Sequence, residues 1–567
     1  MLKKISLLLA TFPLSFLLSV KTTWGQSITP ANDGTGTTVT IDGQRFDIGG
    51  GSLSGDGANL FHSFEKLGLD KGQIANFLSN PDIQNIIGKV AGKDPSIFNG
   101  LIQVTGGNSN LILMNPSGFI FGSDTTLNVP GSFTVTTANG IGFGNNNWFN
   151  ASGDNNYQNL IGTPTEFAFD FAQPGSIVNA GIFSVSQGHN LTFLGGSVIN
   201  TGELSAPGGN ITITAVPGSS QVKISQAGNL LSLVIDSPRD LQGQVLPVTA
   251  VDLPTLLTKG AAGVDTGLTV KQDGTVQLNS SDTVIPGNIG TAIASGIFDV
   301  SQTEANQIGG NVNIFGQFVG VIDANINASG NNGGGTVRIG GDYKGQGTVP
   351  NASRTFFNKN SVITADALQN GSGGKVIVWA DELAAFYGNA SARGGSESGN
   401  GGFVELSGKQ NLIFEGKVDV SAVNGIWGTL LLDPRNIIIS DAPSSAGVDA
   451  GLPDIFQNDF ADSDITINAT TLQSQTGNVV VEATNDITVD YNVLLNFVSG
   501  GSIAFTSDAD NDGSGSFTMN PGSRFNTNQR PLNITAGGNI TTNTIVTSGG
   551  DLNITSNNGA IDTSLGT

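Results

Sequence analysis

Five times between residues 208 and 408 the chain sets paired glycines before a short alternating strand. Gly208 opens GGNITITA, Gly309 opens GGNVNIFG, Gly334 opens GGTVRIGG, Gly373 opens GGKVIVWA and Gly401 opens GGFVELSG. Period-two alternation puts Val312 and Ile314 on one side of a strand and Asn311 and Asn313 on the other. Further on, the spacing becomes regular: PLNIT at 531–535 returns as DLNIT at 551–555, a shift of 20 residues. GGNI at 537–540 has a looser echo in NGAI at 558–561. One coil of that length cannot bury its own Val, Ile and Leu. Stacked coils bury them in a continuous core and pair each strand with the coils above and below. The fold class read from this is all-β, a parallel β-helix. An antiparallel sandwich or propeller is the alternative, but a 20-residue period is short for a propeller blade. At roughly 25 residues per coil, about 20 coils would build a rod on the order of 100 Å long.

Composition agrees. Glycine is 81 of 567 residues, charged residues are only 12%, and 38% is apolar. That is core material divided by turns rather than a disordered chain. Cysteine is absent, which removes disulfides, thiolate metal sites and one nucleophile. A cysteine-free chain also crosses an oxidising compartment without a locking bridge. The formal charge of -22 disfavours nucleic acid and anionic lipid as partners. It leaves cations, basic surfaces and neutral glycans, or simple solubility.

The first residues, MLKKISLLLATFPLSFLLSVKTTWGQ, read as a secretion signal. Lys3 and Lys4 make a basic start, Leu7 to Val20 an apolar core, and Gly25 the small residue at the cut. The core is too short for a membrane span. The expected organisation is a signal peptide at 1–25, a folded start at 26–145, coils at 146–216, an insertion at 217–295, coils at 296–439, a looser insertion at 440–465 and coils at 466–567. In the first insertion, Leu230 to Ile235 reads as a strand and Leu253 to Leu257 as a short helical turn, packed on the rod. The final NNGAIDTSLGT stops in mid-pattern, which leaves strand edges to be covered by something else or marks a truncated chain.

One segment asks for a special role. Residues 115–122 read NPSGFIFG: a turn built on Asn115, Pro116 and Gly118, then the apolar strand Phe119-Ile120-Phe121. Phe119 and Phe121 share one side and Ile120 takes the other. Around it stand NLFHSFEKLG at 59–68, IQNIIGKVAGKDPSIFNGLIQV at 83–104, NLILM at 110–114 and LNVPGSFTVTTANGIGF at 127–143. Together these strongly resemble the N-terminal secretion domain of filamentous haemagglutinin-like exoproteins of two-partner secretion. That family is marked by an Asn-Pro-Asn-Gly-Ile box. Here it is Asn115-Pro116-Ser117-Gly118-Phe119, preceded by Asp94-Pro95-Ser96 and Asn99-Gly100. The second Asn-Pro-Asn-Leu box of the classical members is not found. TLLLDPRNIII at 429–439 resembles the repeat region of related large exoproteins.

The resemblance implies a right-handed parallel β-helix with an N-terminal cap and extra-helical insertions. It implies export through an outer-membrane transporter whose periplasmic domains capture the N-terminal domain, with release or display outside the cell. It implies an adhesin, on a host or neighbour-cell glycan or protein. A haem-binding or cytolytic exoprotein is the alternative, and a β-helical polysaccharide-active enzyme a lesser one.

Individual residues are weighed the same way. His62 lies between Phe61 and Ser63, one residue from Phe64, and reads as a packed residue with one hydrogen bond. A general base would need a positioned partner. His189 reads as a turn residue. No HExxH, GxSxG or Walker box occurs, and acidic pairs such as Asp381-Glu382 look isolated, so no catalytic residue is assigned. DADNDG places Asp508, Asp510 and Asp512 ahead of Gly513, the first half of a calcium loop. The closing Glu is missing, its place being taken by Met519. The segment reads first as a solvated polar turn and second as a calcium site. Sequons such as Asn210-Ile211-Thr212 read as by-products of outward-facing Asn and Thr.

Overall fold

The computed structural model describes residues 28–224, 230–235, 250–260, 263–287, 289–442 and 466–566. The expected signal peptide, residues 1–25, and most of the expected second insertion, residues 443–465, lie outside the described residues.

The glycine-led alternation becomes coil stacking. Ile211, Ile213 and Ala215 of strand Asn210–Ala215 enter one central core, as do Val312 and Ile314 of strand Asn311–Phe315. These two strands run parallel, with Ile211 opposite Val312 and Ile213 opposite Ile314. The relation repeats from Asn59–Lys66 to Leu552–Ser556, so fifteen parallel strands form one face of the rod among the described residues. The fold is a parallel β-helix. A second long sheet, ending at Lys417–Asp419, supplies the opposite wall. Beyond it, a six-stranded and a three-stranded sheet take over that role.

Fifteen coils among the described residues are fewer than the roughly 20 expected from about 25 residues per coil, because the steps are uneven. One coil to the next is 20 residues from Asn533 to Asn553 but 101 from Asn210 to Asn311. The long steps carry chain outside the rod. At about 4.8 Å per coil, the rod is on the order of 70 Å long rather than 100.

The paired glycines have a steric cause. A Cβ on Gly335, Gly374, Gly402 or Gly428 would collide with a carbonyl oxygen of the preceding coil, that of Gly310, Gly335, Gly374 and Gly402 respectively. The turn brings backbone onto backbone there, and only glycine fits.

Outward positions are not all solvated. Asn85 Nδ2 donates to Asn59 Oδ1 at 2.8 Å, and Asn110 Nδ2 donates to Asn85 Oδ1 at 2.9 Å. A second ladder runs Asn190, Asn210, Asn311. Asn210 and Thr212 of the quoted sequon face away from the central core, as expected, but are buried rather than solvated. An extra-helical sheet packs on this same side of the rod. Strands Gly140–Gly142, Trp148–Asn150 and Glu166–Phe169 join Ser220–Ile224 and Leu230–Ile235 in an antiparallel sheet. Residues 148–169 are thus not coils, as the sequence had suggested. Their Phe149, Phe167 and Phe169 pack with Phe61, Ile112 and Leu194 of the rod in a separate apolar cluster.

Chain from the segment 217–295 also leaves the rod. Its Leu253–Thr255 helix, capped by Asp252, and a three-stranded sheet between Leu268 and Ile285 lie against the second long sheet. Strand Thr291–Asp299, however, is already back in the solenoid. At the N-terminal end, hairpin Thr37–Asp42/Arg45–Gly50 pairs with Ile74–Leu78. Thr29–Pro30 and Ser52–Leu53 pair antiparallel with Asn59–Lys66. Antiparallel strands here cap the first coil and close its edge. At the other end, Leu552, Ile561 and Leu565 are exposed.

Candidate functional site

Asp94, Pro95 and Ser96 lead into strand Ser96–Phe98, and Asn115 to Gly118 lead into strand Phe119–Phe121. The strands pair in parallel with Phe119 opposite Ser96, so the two motif segments are one corner on successive coils. Asn115 joins them. Its Nδ2 donates to the Asp94 carbonyl at 3.1 Å and to Ser96 Oγ at 3.0 Å. Its Oδ1 accepts from the Ser117 N–H at 2.9 Å, which is an Asx turn. The Gly118 N–H closes the turn on the Asn115 carbonyl, and Gly118 takes φ 111°, a value that favours glycine.

Phe119 and Phe121 enter the central core. Their rings stack on each other at 5.7 Å, and Phe121 stacks on Phe98 at 5.3 Å. Ile120 faces out, but Leu253, Leu256 and Leu257 of the excursion bury it in a second cluster. Asn115, Phe119, Ile120 and Phe121 are each 0% exposed, so these four residues have no surface open to a partner in the folded domain. Asn99 and Gly100 form the next bend. The Asn99 N–H donates to the Leu69 carbonyl, and a Cβ on Gly100 would meet the Gln73 and Asp70 carbonyls.

The cap has its own polar lock. Lys89 is buried and reaches Asp33 at 3.2 Å. Burial disfavours the Asp33 carboxylate, yet bonds from Ser63 and Thr35 and the Lys89 charge outweigh it and bring its pKa down to about 2. Thr35 Oγ1 in turn lies 2.6 Å from Tyr157 Oη, linking the cap to the extra-helical sheet. A lone Lys in the apolar run IIGKV was the only sequence signal of this lock.

His62 is packed between Phe64 and Phe77, and among the described residues neither ring nitrogen finds a hydrogen-bond partner. The expected single bond is absent. Burial pushes its pKa down to about 4, so the ring is neutral near pH 7. The His189 N–H closes a turn on the Ser186 carbonyl.

Carboxylates are less isolated than the sequence suggested. Lys344, at φ 52°, places its Nζ 2.6 Å from Glu482 and 3.7 Å from Asp433, while its N–H donates to Glu405 Oε1 at 2.9 Å. Burial raises Glu405 to about 7 and Asp433 to about 6. No spacing rule could find this group, since Lys344 and Glu482 are 138 residues apart. Glu405 is fully buried beneath the Lys344 backbone, which gives it no route to a substrate. Asp381 and Glu382 are also engaged, with Trp379 Nε1 and Arg354.

Asp508, Asp510 and Asp512 bring carboxylate oxygens within 4.8 Å of one another. Two of them are already used locally: the Gly513 N–H donates to Asp508 Oδ1, and Ser514 donates to Asp512 through its N–H and hydroxyl.

Residues 26–278 match the family model of the TPS secretion domain, that of two-partner secretion. The chain thus carries the secretion domain of a two-partner exoprotein: a secreted protein whose partner is the transporter of that system. The match extends past residue 145, where the quoted motifs end. Packing explains the longer unit: both excursions are built onto the first coils, over Phe61 and Ile120. Among solved structures, the HMW1 secretion domain from Haemophilus influenzae is similar at 16% identity and TM-score 0.38, covering 96% of this chain and 98% of that one. The filamentous hemagglutinin secretion domain is similar at 13% identity and TM-score 0.22, covering 70% and 100%. No curated protein matches the chain. No described helix is long and apolar enough to cross a membrane.

Proposed function

We propose that this chain is a non-enzymatic adhesin: a β-helical rod exported by its N-terminal domain and presented at or released from the cell surface. The segment from Asn115 to Phe119 has two successive roles. While the chain is unfolded, the transporter's periplasmic domains read it as part of the address. Outside, it folds into the corner that Asn115 ties to Asp94 and Ser96. The observation that carries this is burial: Asn115 and Phe119 have no exposed surface in the folded domain, so any reading of them precedes folding.

Coil-by-coil folding fits such export. Each coil pairs mainly with its neighbours, so little long-range closure waits for later chain. The test is capture by the transporter's periplasmic domains of this chain held in urea at a concentration those domains tolerate, against capture after refolding. The unfolded chain should be retained and the refolded chain not. Equal capture of both would show that an exposed surface of the folded domain, not this segment, is read.

Adhesion draws support from the long, ordered rod that the stacked coils build. Attachment of cells to a surface coated with the secreted chain tests it. Coating that gives no more attachment than an inert protein would sink the reading.

A further inference from the structure

The floor made by the paired glycines has walls. Four successive turns, carrying Gly335, Gly374, Gly402 and Gly428, line a groove of about 550 Å³ that crosses the coils. Ile426 and Trp427 stand at its rim, 71% and 36% exposed. The loop presenting them is held rigidly: the Ile426 N–H donates to Asn400 Oδ1, the Gly401 N–H to the Ile426 carbonyl, and Asn478 Nδ2 to the Trp427 carbonyl. Phe403 and Lys375 form another part of the lining, with the exposed ring of Tyr343 beside them. Lys375 Nζ lies 5.1 Å from the Tyr343 ring centre and 5.9 Å from that of Phe403.

The charge of this groove is opposite to that of the rod. The chain has 45 acidic and 23 basic residues, yet the lining contains Lys375 and no carboxylate. Lys375 has no ion pair among the described residues.

We propose that this groove binds an acidic oligosaccharide lying along the rod axis, a proposal that gives the adhesin reading its ligand class. Three features select a saccharide over a peptide. The N–H groups of Gly335, Gly374, Gly402 and Gly428 all donate within the coil stack. The carbonyls of the same four glycines accept from the next coil, from Lys375, Phe403, Thr429 and Asn478. A peptide backbone would therefore find no strand edge to pair with. What remains is a flat CH surface between aromatic walls, with the side chains of Thr336 and Thr429 at the floor's edge to meet hydroxyl groups. Sugar faces stack on such rings, and a carboxylate on the sugar answers Lys375. Turns repeating about every 4.8 Å along the groove offer a periodic chain a periodic bed.

Calorimetry on the full secreted chain tests this with a hexasaccharide of galacturonic acid, a hexasaccharide of glucose and an oligoglutamate peptide of equal charge. The uronate should bind, and the other two should bind at least roughly tenfold more weakly. Trp427→Ala and Lys375→Gln should each weaken uronate binding by about tenfold or more, with unchanged thermal unfolding, since both side chains are at the surface. Lys375→Arg should restore it. Uronate binding that survives both substitutions, no uronate binding at all, or equal binding of glucan or oligoglutamate would overturn the proposal. Attachment of cells to the Trp427→Ala chain separates the two readings. Normal attachment without uronate binding removes the groove and leaves the adhesin, whereas uronate binding by a wild-type chain that attaches no cells removes the adhesin and leaves the groove.

Discussion

Asn115 Nδ2 lies 3.0 Å from Ser96 Oγ, across 19 residues of chain and one step of the solenoid. With the bonds to the Asp94 carbonyl and the Ser117 N–H, a single amide fixes two corners at once. Only a side chain that donates and accepts from one planar group does this. Asn115→Ala should lower the stability of the N-terminal domain by about 3 kcal/mol, because it leaves buried partners unsatisfied. Asn115→Asp should not rescue it, having lost the donor. Urea unfolding followed at the N-terminal coils measures both; an alanine variant within about 0.5 kcal/mol of wild type would deny the corner role.

His62 predicts an acid limb. Its folded pKa of about 4 is below the ordinary 6.5, so the unfolded chain binds the extra proton first. Its contribution is complete above pH 6.5 and is lost as pH falls from there towards 4. The full effect is roughly 3 kcal/mol. His62→Phe should remove that limb from a stability-against-pH curve, and a slope unchanged by the substitution would place the effect elsewhere.

Glu405 predicts the opposite slope. Its folded pKa, raised to about 7 from 4.5, means the folded chain holds the proton longer than the unfolded one. This contribution is complete below pH 4.5 and is lost as pH rises through 7. Glu405→Gln should therefore stabilise the middle coils above pH 7, by up to about 3 kcal/mol, and leave them little changed at pH 4. Hydrogen exchange across Phe403–Gly408 at the two pH values reads this out; destabilisation at both would mean that Lys344 needs the charge.

Arg530 should be irreplaceable by lysine. Its side chain is buried and donates to the carbonyls of Gly501 (2.5 Å), Gln475 (2.9 Å) and Gly477 (2.5 Å), with no ion pair among the described residues. Burial lowers its pKa to about 10. A planar fork can serve several carbonyls where an ammonium cannot. Arg530→Lys should cost about 3 kcal/mol and open the C-terminal coils to limited proteolysis. Wild-type protease resistance would show the clamp to be dispensable.

The part of this structure legible in the sequence is the part set by neighbours along the strand. The alternation of Val312 and Ile314 against Asn311 and Asn313 gave the core face directly, and Asn115-Pro116 with Gly118 gave the turn. What stayed hidden depends on which coil lies beside which. Trp148–Asn150 looks like another short strand until Phe149 is seen against Phe61. Leu253, Leu256 and Leu257 had helical spacing, but nothing in it named Ile120 as their target. The coil number was overestimated because excursions and coils share the same Gly/Asn/Thr vocabulary. Lys344, Asp433 and Glu482 come together through coil stacking that no local pattern records.

The central claim is that the N-terminal domain is the export address. The most direct measurement is the distribution of the chain between periplasm and medium, in cells making the transporter, after deletion of residues 28–145 with residues 1–27 retained. The account predicts that the deleted chain stays in the periplasm while the intact chain reaches the outside. Deleted chain appearing outside in the same proportion as intact chain would contradict it.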